Sequence, residues 1–231
     1  MISEKFETIF VHIPKTAGQS IETVFLSAQG LSWQRRARLG LKANSDAARG
    51  PRRLAHLYAH EYVKCGHISQ RDFDGYFKFS IVRDPYARAL SEYRYRYAAS
   101  GMTVDEFLDL PFSPDFSDAA RHLVPQARYV MDAEGRLLVD QIIKFESLDS
   151  TLGETWRRVF GSDRPRVHWK SRFHPKAVLG RLRGVGAHLP HKNKSIPGPK
   201  RAADLTAAQR RIIEHRYAED FRLFDYAHYV G

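Results

Sequence analysis

The sequence has little cysteine and no long apolar run, and each absence excludes a class of protein. Cys65 is the one cysteine among 231 residues, which excludes an internal disulfide framework and a zinc cage of several cysteines. No run of about 18 apolar residues occurs, so the sequence predicts no membrane-spanning helix. Glu4, Lys5 and Glu7 stand where a signal peptide has its apolar segment. We therefore expect a soluble protein of a reducing compartment.

Acidic residues are also too few to balance the basic ones. There are 37 Lys and Arg residues against 26 Asp and Glu residues, which leaves a formal net charge of +11. Such an excess attracts polyanions, among them nucleic acid, phosphorylated cofactors, acidic glycans and anionic membranes. It equally suits a basic surface that only keeps the protein soluble. The charge alone does not choose between these interpretations.

The hydrophobic pattern predicts an α/β fold. Apolar residues make up 43% of the chain, enough for a core, and the length suits one domain, which we place over residues 1–231. Strands are predicted at Thr8–Ile13, Lys78–Arg83 and Leu137–Phe145. Helices are predicted at Ser20–Ala28, Tyr86–Tyr97, Leu148–Phe160 and Thr206–Tyr217. This order favours a mostly parallel sheet with helices on both faces, plus a basic, loop-rich excursion at about 161–200.

The first strand passes into the first helix through the segment Pro14–Gly18, a position suited to phosphate binding. Loop N–H groups and the positive end of the helix dipole converge there. Lys15 adds a mobile charge, Gly18 permits close backbone approach and Ser20 adds a hydroxyl. The order differs from a Walker A motif, in which glycine precedes lysine. The segment predicts either a P-loop-like phosphate site in a three-layer fold or a plain strand–turn–helix joint.

A second candidate anion site follows the second predicted strand. Arg83 ends that strand, and Ser91 lies two turns into the next helix. A guanidinium and a hydroxyl can grip a second phosphate, and ligands of open α/β sheets bind at the carboxyl ends of the strands. The alternative is that Arg83 forms a structural ion pair with Asp84 or Glu92.

The two segments together resemble the cofactor signatures of a known family. HIPKTAGQSIE at 12–22 and FSIVRDPYARALSEYRY at 79–95 are similar to those of the sulfotransferases, most closely the carbohydrate (Golgi-type, family 2) branch and its bacterial relatives. Weaker similarity continues through KCGHIS at 64–69 and LPHKNKS at 189–195. The resemblance implies an enzyme that moves a sulfuryl group from 3′-phosphoadenosine 5′-phosphosulfate (PAPS) to an acceptor hydroxyl, typically on a carbohydrate.

The resemblance also implies roles for individual residues. Lys15 would contact the sulfate-bridging oxygen, Arg83 and Ser91 would hold the 3′-phosphate, and His67 would act as base on the acceptor. Cys65 stands where some relatives have a second histidine, a departure that puts the shape of the acceptor site in doubt. The implied contacts to the 5′-phosphate are Lys15, Thr16, Ala17, Gly18, Gln19 and Ser20. A late loop that would close over the nucleotide contains Asn193, Lys194 and Ser195.

These residue types suit sulfuryl transfer on chemical grounds. A neutral histidine is a suitable base for the acceptor hydroxyl, and a lysine meets the charge that builds on the departing oxygen. No metal is required, because Lys and Arg supply the positive charge. Two alternatives stay open. One is a nucleotide kinase or phosphotransferase, which would need magnesium ligands; the other is a polyanion-binding protein without catalysis.

Two further expectations concern the basic stretch near the end of the sequence and the cellular location of the protein. Arg164–Lys200 contains Trp169 and Phe173 among many cations, which suits an acceptor groove for an acidic glycan or a solvated loop. No nucleic-acid motif accompanies it, so nucleic acid is not expected as a partner. Golgi members of the family carry an anchor and stem that this sequence lacks. We therefore expect a cytoplasmic protein of bacterial type, the alternative being a luminal domain without its anchor.

Overall fold

A mostly parallel sheet forms the centre of the protein. The computed structural model describes residues 1–112, 116–161 and 198–230. In these ranges the sheet has the strand order β1–β2–β3–β4; β2, β3 and β4 are parallel, and β1 pairs with β2 in the antiparallel sense. The strands are β1 (Ile2–Ser3), β2 (Thr8–Val11), β3 (Phe77–Val82) and β4 (Gln141–Lys144). The α/β fold predicted from the sequence is confirmed.

Helices of very different length surround the sheet. They are α1 (Gly18–Ala28), α2 (Glu61–Lys64), α3 (Gln70–Gly75), α4 (Pro85–Glu92), α5 (Val104–Leu108), α6 (Asp118–Leu123), α7 (Ala127–Val130), α8 (Leu148–Phe160), α9 (Ala207–Arg216) and α10 (Ala218–Leu223). Helix α8 has its predicted bounds, and α9 begins with the predicted capping box of Thr206 and Gln209.

Several predicted elements differ from the observed ones. Strand β3 begins at Phe77 and ends at Val82, so Arg83 directly follows it, and α1 begins at Gly18 and not at Ser20. Strand β2 ends at Val11 and not at Ile13, and β4 begins at Gln141 because Leu137 instead forms an isolated bridge with Met131. The predicted helix over Tyr86–Tyr97 divides into α4 and a π-helical segment, Tyr93–Tyr97. A π-helical turn widens the hydrogen-bonding pattern and redirects side chains, which simple periodicity does not reveal.

Alternating side chains give the sheet a core on each face, as expected for three layers. On one face Phe10 and Phe79 pack with α1 and α8, where Phe25 and Trp156 are buried. On the other face Val11 and Val82 pack with residues from the segments 54–73 and 124–130. The sheet is therefore covered on both sides, and its carboxyl edge is where the chain leaves β2 and β3 for α1 and α4.

A contact between His12 and Gly18 fixes the joint between β2 and α1. Nδ1 of His12 lies 2.6 Å from Oε1 of Glu22 on α1. The His12 ring lies so close to Gly18 that a Cβ at residue 18 would be 2.0 Å from ring atoms. Glycine is therefore required here by space. In the loop between them, Lys15 and Ala17 both have φ of 71°, the left-handed region that non-glycine residues rarely adopt.

We expect Gly18→Ala to lower the free energy of unfolding by about 1–3 kcal/mol, the usual cost of overpacking a filled site. Chemical denaturation measures the change. Gly75→Ala is the matched control, since Gly75 lies in α3 and a Cβ there meets no atom within 4 Å. Equal stability of Gly18→Ala and the control would contradict the packing argument.

Candidate active site

Lys15 lies in the loop between β2 and α1, at the carboxyl edge of the sheet. Its Nζ lies 3.6 Å from the centre of the Tyr95 ring. The ion pairs among the described residues do not include Lys15. Burial lowers the pKa of Lys15 to about 8, although the negative charge of Glu92 acts in the opposite direction. The ammonium is thus held by an aromatic face and keeps its N–H groups for a ligand.

The start of α1 offers further hydrogen-bonding groups. Ser20 is buried, and within the described ranges its Oγ has no hydrogen-bond partner. No side chain caps α1, whose N-cap residue is Ala17. Thr16 uses its hydroxyl within the loop, where Oγ1 donates to the carbonyl of Ile13 at 2.8 Å. An uncapped helix start and an unpaired buried hydroxyl are features that suit an anion, such as a phosphate.

Arg83 brings the second predicted segment to the same place. Its Nη1 donates to the backbone carbonyl of Lys15 at 3.2 Å, and its guanidinium lies 4.5 Å from the centre of the Phe145 ring. Burial lowers the pKa of this guanidinium. Its Nε is buried and unpaired within the described part of the chain. The two candidate phosphate-binding segments are therefore in direct contact.

The alternative interpretation of Arg83, an ion pair with Asp84 or Glu92, is not observed among the described residues. Asp84 instead caps α4, its Oδ1 accepting from the Ala87 N–H at 2.8 Å. Glu92 accepts from Arg96 Nε at 2.9 Å and lies 2.7 Å from His122 Nδ1. Both carboxylates are occupied, which leaves the charge of Arg83 available to a ligand.

The backbone of Arg83 is held by a buried amide that sequence reasoning missed. Oε1 of Gln126 accepts from the Arg83 N–H at 2.9 Å, and Nε2 donates to the Arg83 carbonyl at 2.8 Å. Asp220 in turn accepts from the Gln126 N–H at 2.9 Å. These contacts join residues far apart in sequence, and no motif marks Gln126 or Asp220.

An open cleft of about 540 Å³ lies beside Arg83, a volume typical of small-molecule sites. Phe145 and Ala87 line it together with two further cations, Lys200 and Arg201. Arg94 connects this segment to the π-helical turn, because its Nη1 donates to the Pro199 carbonyl at 2.8 Å. The lining residues are Arg83, Asp84, Ala87, Phe145, Glu146, Leu148, Asp149, Lys200 and Arg201.

Among the described residues, Arg83 is the one predicted cofactor residue that lines this cleft; the loop from Lys15 to Ser20 does not line it and is joined to it through the contact of Arg83 with the Lys15 carbonyl. Ser91 is half-buried near the end of α4 and does not line the cleft; within the described ranges it makes no hydrogen bond to Arg83. Asn193, Lys194 and Ser195 lie outside the described residues, as does most of the basic excursion at 161–200. Their roles stay predictions.

His67 follows α2 and is half-buried. Its Nε2 lies 2.8 Å from the Arg49 carbonyl, which can only accept, so Nε2 carries the hydrogen and Nδ1 presents the lone pair. Burial lowers the pKa of His67, with further contributions from Arg49 and Lys42, and the ring is neutral at pH 7. No contact joins His67 to Lys15 in the described part of the chain. Its assignment as base stays a prediction.

Three other histidines form a buried row that the sequence did not reveal. His56 packs edge-on against both His12 and His122, with ring centres 4.9 Å apart in each case. Nδ1 of each ring contacts a different carboxylate, Glu22 for His12 at 2.6 Å, Asp118 for His56 at 2.6 Å and Glu92 for His122 at 2.7 Å. His12 is thus a buried histidine whose Nδ1 is bonded to Glu22.

Within the described ranges, His56, Asp118 and His122 form the one group whose ligand atoms lie close enough for a metal ion, all within 4.8 Å. Asp118 already has two cationic neighbours, with its Oδ2 3.4 Å from Arg96 Nη2 and 3.6 Å from Arg53 Nε. A divalent cation would have to compete with both guanidiniums. The arrangement is that of a charge-compensated polar network.

The described sheet, its uncapped loop and the facing arginine define an α/β protein with a candidate anion-binding site at the carboxyl edge of the strands. A family model for the sulfotransferase family matches residues 1–227. The chain therefore belongs to the sulfotransferase family and is of the transferase class. No curated protein and no solved structure matches it. Among the described residues, no helix is both long and apolar enough to cross a membrane.

Lowering the pH should destabilise the protein through His56. Burial lowers the pKa of His56 to about 3, against about 6.5 in an unfolded chain. Below pH 6.5 the unfolded chain therefore takes up a proton that the folded protein does not, and stability decreases as the pH falls towards 3. At pH 5 this difference in proton uptake lowers the free energy of unfolding by about 2 kcal/mol relative to neutral pH.

We expect denaturant titrations of His56→Asn at pH 7.5 and pH 5 to show a smaller loss of stability between the two pH values than the wild type, because Asn does not titrate. Both proteins carry the same other titrating groups, so the comparison isolates residue 56. An equal loss in the two proteins would contradict the buried neutral state of His56.

Proposed function

We propose that this protein transfers a sulfuryl group from PAPS to a carbohydrate hydroxyl, with His67 as the base. One observation carries the proposal. Four buried polar atoms lack a partner in the described ranges, and two of them, Ser20 Oγ and Arg83 Nε, lie at the candidate phosphate positions of the two segments that resemble the family's signatures; the others are Arg94 Nε and His122 Nε2. The contact between Arg83 and the Lys15 carbonyl joins these segments.

The residues fit the two phosphate groups of such a nucleotide. The loop and first turn of α1, from Lys15 through Ser20, would surround the 5′-phosphate with backbone N–H groups and the Ser20 hydroxyl. Arg83 would hold the 3′-phosphate, and Lys200 and Arg201 add positive charge to the adjoining cleft. Ser91, Asn193, Lys194 and Ser195 are included on the resemblance alone.

Lys15 would stabilise the charge that develops on the bridging oxygen. PAPS supplies the sulfuryl group, and this transfer leaves negative charge on the 5′-phosphate. With a pKa of about 8, the Lys15 ammonium is mostly protonated at pH 7. A preorganised cation of this kind is typically worth about 10²- to 10³-fold in rate. No step in this scheme requires a metal.

His67 would remove the proton of the acceptor hydroxyl. Its lowered pKa keeps the ring neutral, and the Arg49 carbonyl holds the proton on Nε2. Nδ1 is then the atom that accepts a proton. A histidine of this kind typically contributes about 10²- to 10⁴-fold as a general base.

The segment that contacts His67 through Arg49 is strongly basic, which favours an acidic acceptor. Residues 33–53 hold seven cations and one acid, Asp46. The cations are Arg35, Arg36, Arg38, Lys42, Arg49, Arg52 and Arg53. All except the half-buried Arg36 are exposed. Since an anionic carbohydrate would be attracted to such a surface, we include acidic glycans among the acceptors.

We expect 3′-phosphoadenosine 5′-phosphate to bind the purified protein without magnesium, and Arg83→Ala to weaken this binding by at least tenfold. A charge-assisted hydrogen bond to a buried guanidinium is lost in the variant. Isothermal titration calorimetry gives both dissociation constants, with ADP and ATP as comparison ligands.

Arg136→Ala is the matched control for that titration. Arg136 is exposed and pairs with Asp132 in the turn before β4, so the variant loses the same charge outside the cleft. Binding of ATP equal to that of the 3′-phosphorylated nucleotide would favour a kinase or phosphotransferase. Absence of nucleotide binding would exclude the proposed cofactor.

Replacing the proposed base should separate chemistry from binding. We expect His67→Ala to lower the rate of sulfuryl transfer by about 10²- to 10⁴-fold while nucleotide affinity changes little. In the wild type, the acidic loss of activity should lie below the usual titration range of a histidine, because burial lowers the His67 pKa, and activity should fall again above about pH 8, where Lys15 loses its proton. Transfer rates with labelled PAPS and an accepted carbohydrate measure both effects. Unchanged transfer in the variant would exclude His67 as the base.

A further inference from the structure

We propose that Tyr95 and His122 are positioning residues for the Lys15 ammonium. The inference rests on the proposed function, in which Lys15 acts at the 5′-phosphate. Four rings in a row between Lys15 and the start of α1, Tyr95, His122, His56 and His12, carry it together with the carboxylate of Glu92, and every contact in the series lies within the described residues. The similarity of the two signature segments to the family does not by itself assign this role to Tyr95 or His122.

The aromatic face of Tyr95 is the direct partner of Lys15. The ammonium lies 3.6 Å from the ring centre, within the distance at which a ring attracts a cation. A carboxylate at that place would neutralise the ammonium and compete with an incoming phosphate. A neutral ring stabilises the cation without occupying its N–H groups. Tyr95 therefore keeps Lys15 ready for an anion.

The position of Tyr95 is set from two directions. It lies in the π-helical segment Tyr93–Tyr97, the turn that departs from regular α4 geometry. Its ring also stacks on His122, with an interplanar angle of 11° and ring centres 6.3 Å apart. The ring is 43% exposed, so its place is not fixed by burial in a core. The stack on His122 orients it, and the Arg96 guanidinium, 5.8 Å from the ring centre, is a further neighbour.

His122 is held through its Nδ1 and its ring face, whereas its Nε2 has no hydrogen-bond partner in the described ranges. Its Nδ1 lies 2.7 Å from Glu92, and the other oxygen of Glu92 accepts from Arg96 at 2.9 Å. The pKa of Glu92, raised by burial, is brought down to about 2 by the opposing effects of His122, Arg96 and Lys15, so the carboxylate stays ionised. His122 also packs edge-on against His56.

The row of contacting rings ends at the same loop between β2 and α1 in which Lys15 lies. His56 packs on His12, and the His12 ring fills the space above Gly18. Lys15 and Gly18 are thus held by opposite ends of one row of rings. A row anchored on the same loop at both ends fixes the loop and the lysine relative to each other. We infer that this arrangement sets the direction of the Lys15 ammonium towards the 5′-phosphate.

The test compares two nucleotides that differ in the group Lys15 would touch. We expect Tyr95→Leu to weaken binding of 3′-phosphoadenosine 5′-phosphate by about tenfold and to leave binding of adenosine 3′-phosphate, which lacks the 5′-phosphate, within about twofold. A general disturbance of the site would weaken both ligands together. Calorimetry on the full chain measures the four dissociation constants.

Three further variants make the result decisive. Tyr95→Phe should restore most of the affinity, because the aromatic face is retained and the Tyr95 hydroxyl makes no hydrogen bond within the described ranges. In a Lys15→Met background, Tyr95→Leu should cause little further loss, since the two residues act through one interaction. Tyr97→Leu, which removes a ring of the same π-helical segment that packs on Phe107, is the control.

The outcomes separate the two proposals. If the wild type binds neither nucleotide, the proposed function is wrong. If the wild type binds 3′-phosphoadenosine 5′-phosphate but Tyr95→Leu weakens both ligands equally, or if the losses from Lys15→Met and Tyr95→Leu simply add, the positioning role is wrong. Tyr95→Leu with wild-type affinity for both ligands would also overturn it.

Discussion

The packing of His12 on Gly18 is the constraint on which the site depends. The ring occupies the space that any side chain at residue 18 would need, and Glu22 holds it there from the next turn of α1. Strand β2 and helix α1 are joined through this contact, so the intervening loop turns sharply and two non-glycine residues adopt left-handed backbone. The same loop presents Lys15 and the uncapped start of α1 at the carboxyl edge of the sheet.

The acidic and the basic side chains of this region have different kinds of partner. Three carboxylates of this region, Glu22, Asp118 and Glu92, are bonded to His12, His56 and His122. The two cations of the candidate site, Lys15 and Arg83, instead lie on the aromatic faces of Tyr95 and Phe145. An aromatic face holds a cation without neutralising it. The positive charges of Lys15 and Arg83 are therefore left for a ligand, such as the doubly phosphorylated nucleotide proposed above.

Local patterns predicted the parts of the fold that local physics decides. The strand runs, the bounds of α8 and the Thr206 capping box follow from periodicity and side-chain hydrogen bonding over three or four residues. The loop with Lys15 and the strand-end Arg83 were found because each lies at the end of a predicted strand. The row of histidines, the Gln126 clamp on Arg83 and the stack of Tyr95 on His122 were missed, because they join residues tens of positions apart. Such contacts depend on tertiary packing, which periodicity does not encode.

A crystal structure of the protein with bound 3′-phosphoadenosine 5′-phosphate would test the central claim most directly. The account predicts the 5′-phosphate within hydrogen-bonding distance of Ser20 Oγ and Lys15 Nζ, and the 3′-phosphate within that distance of Arg83 Nε. Among the described residues, Ser20 Oγ and Arg83 Nε have no hydrogen-bond partner, and Lys15 Nζ contacts only the Tyr95 ring. A nucleotide bound elsewhere, or bound with Ser20 and Arg83 still unpaired, would contradict it.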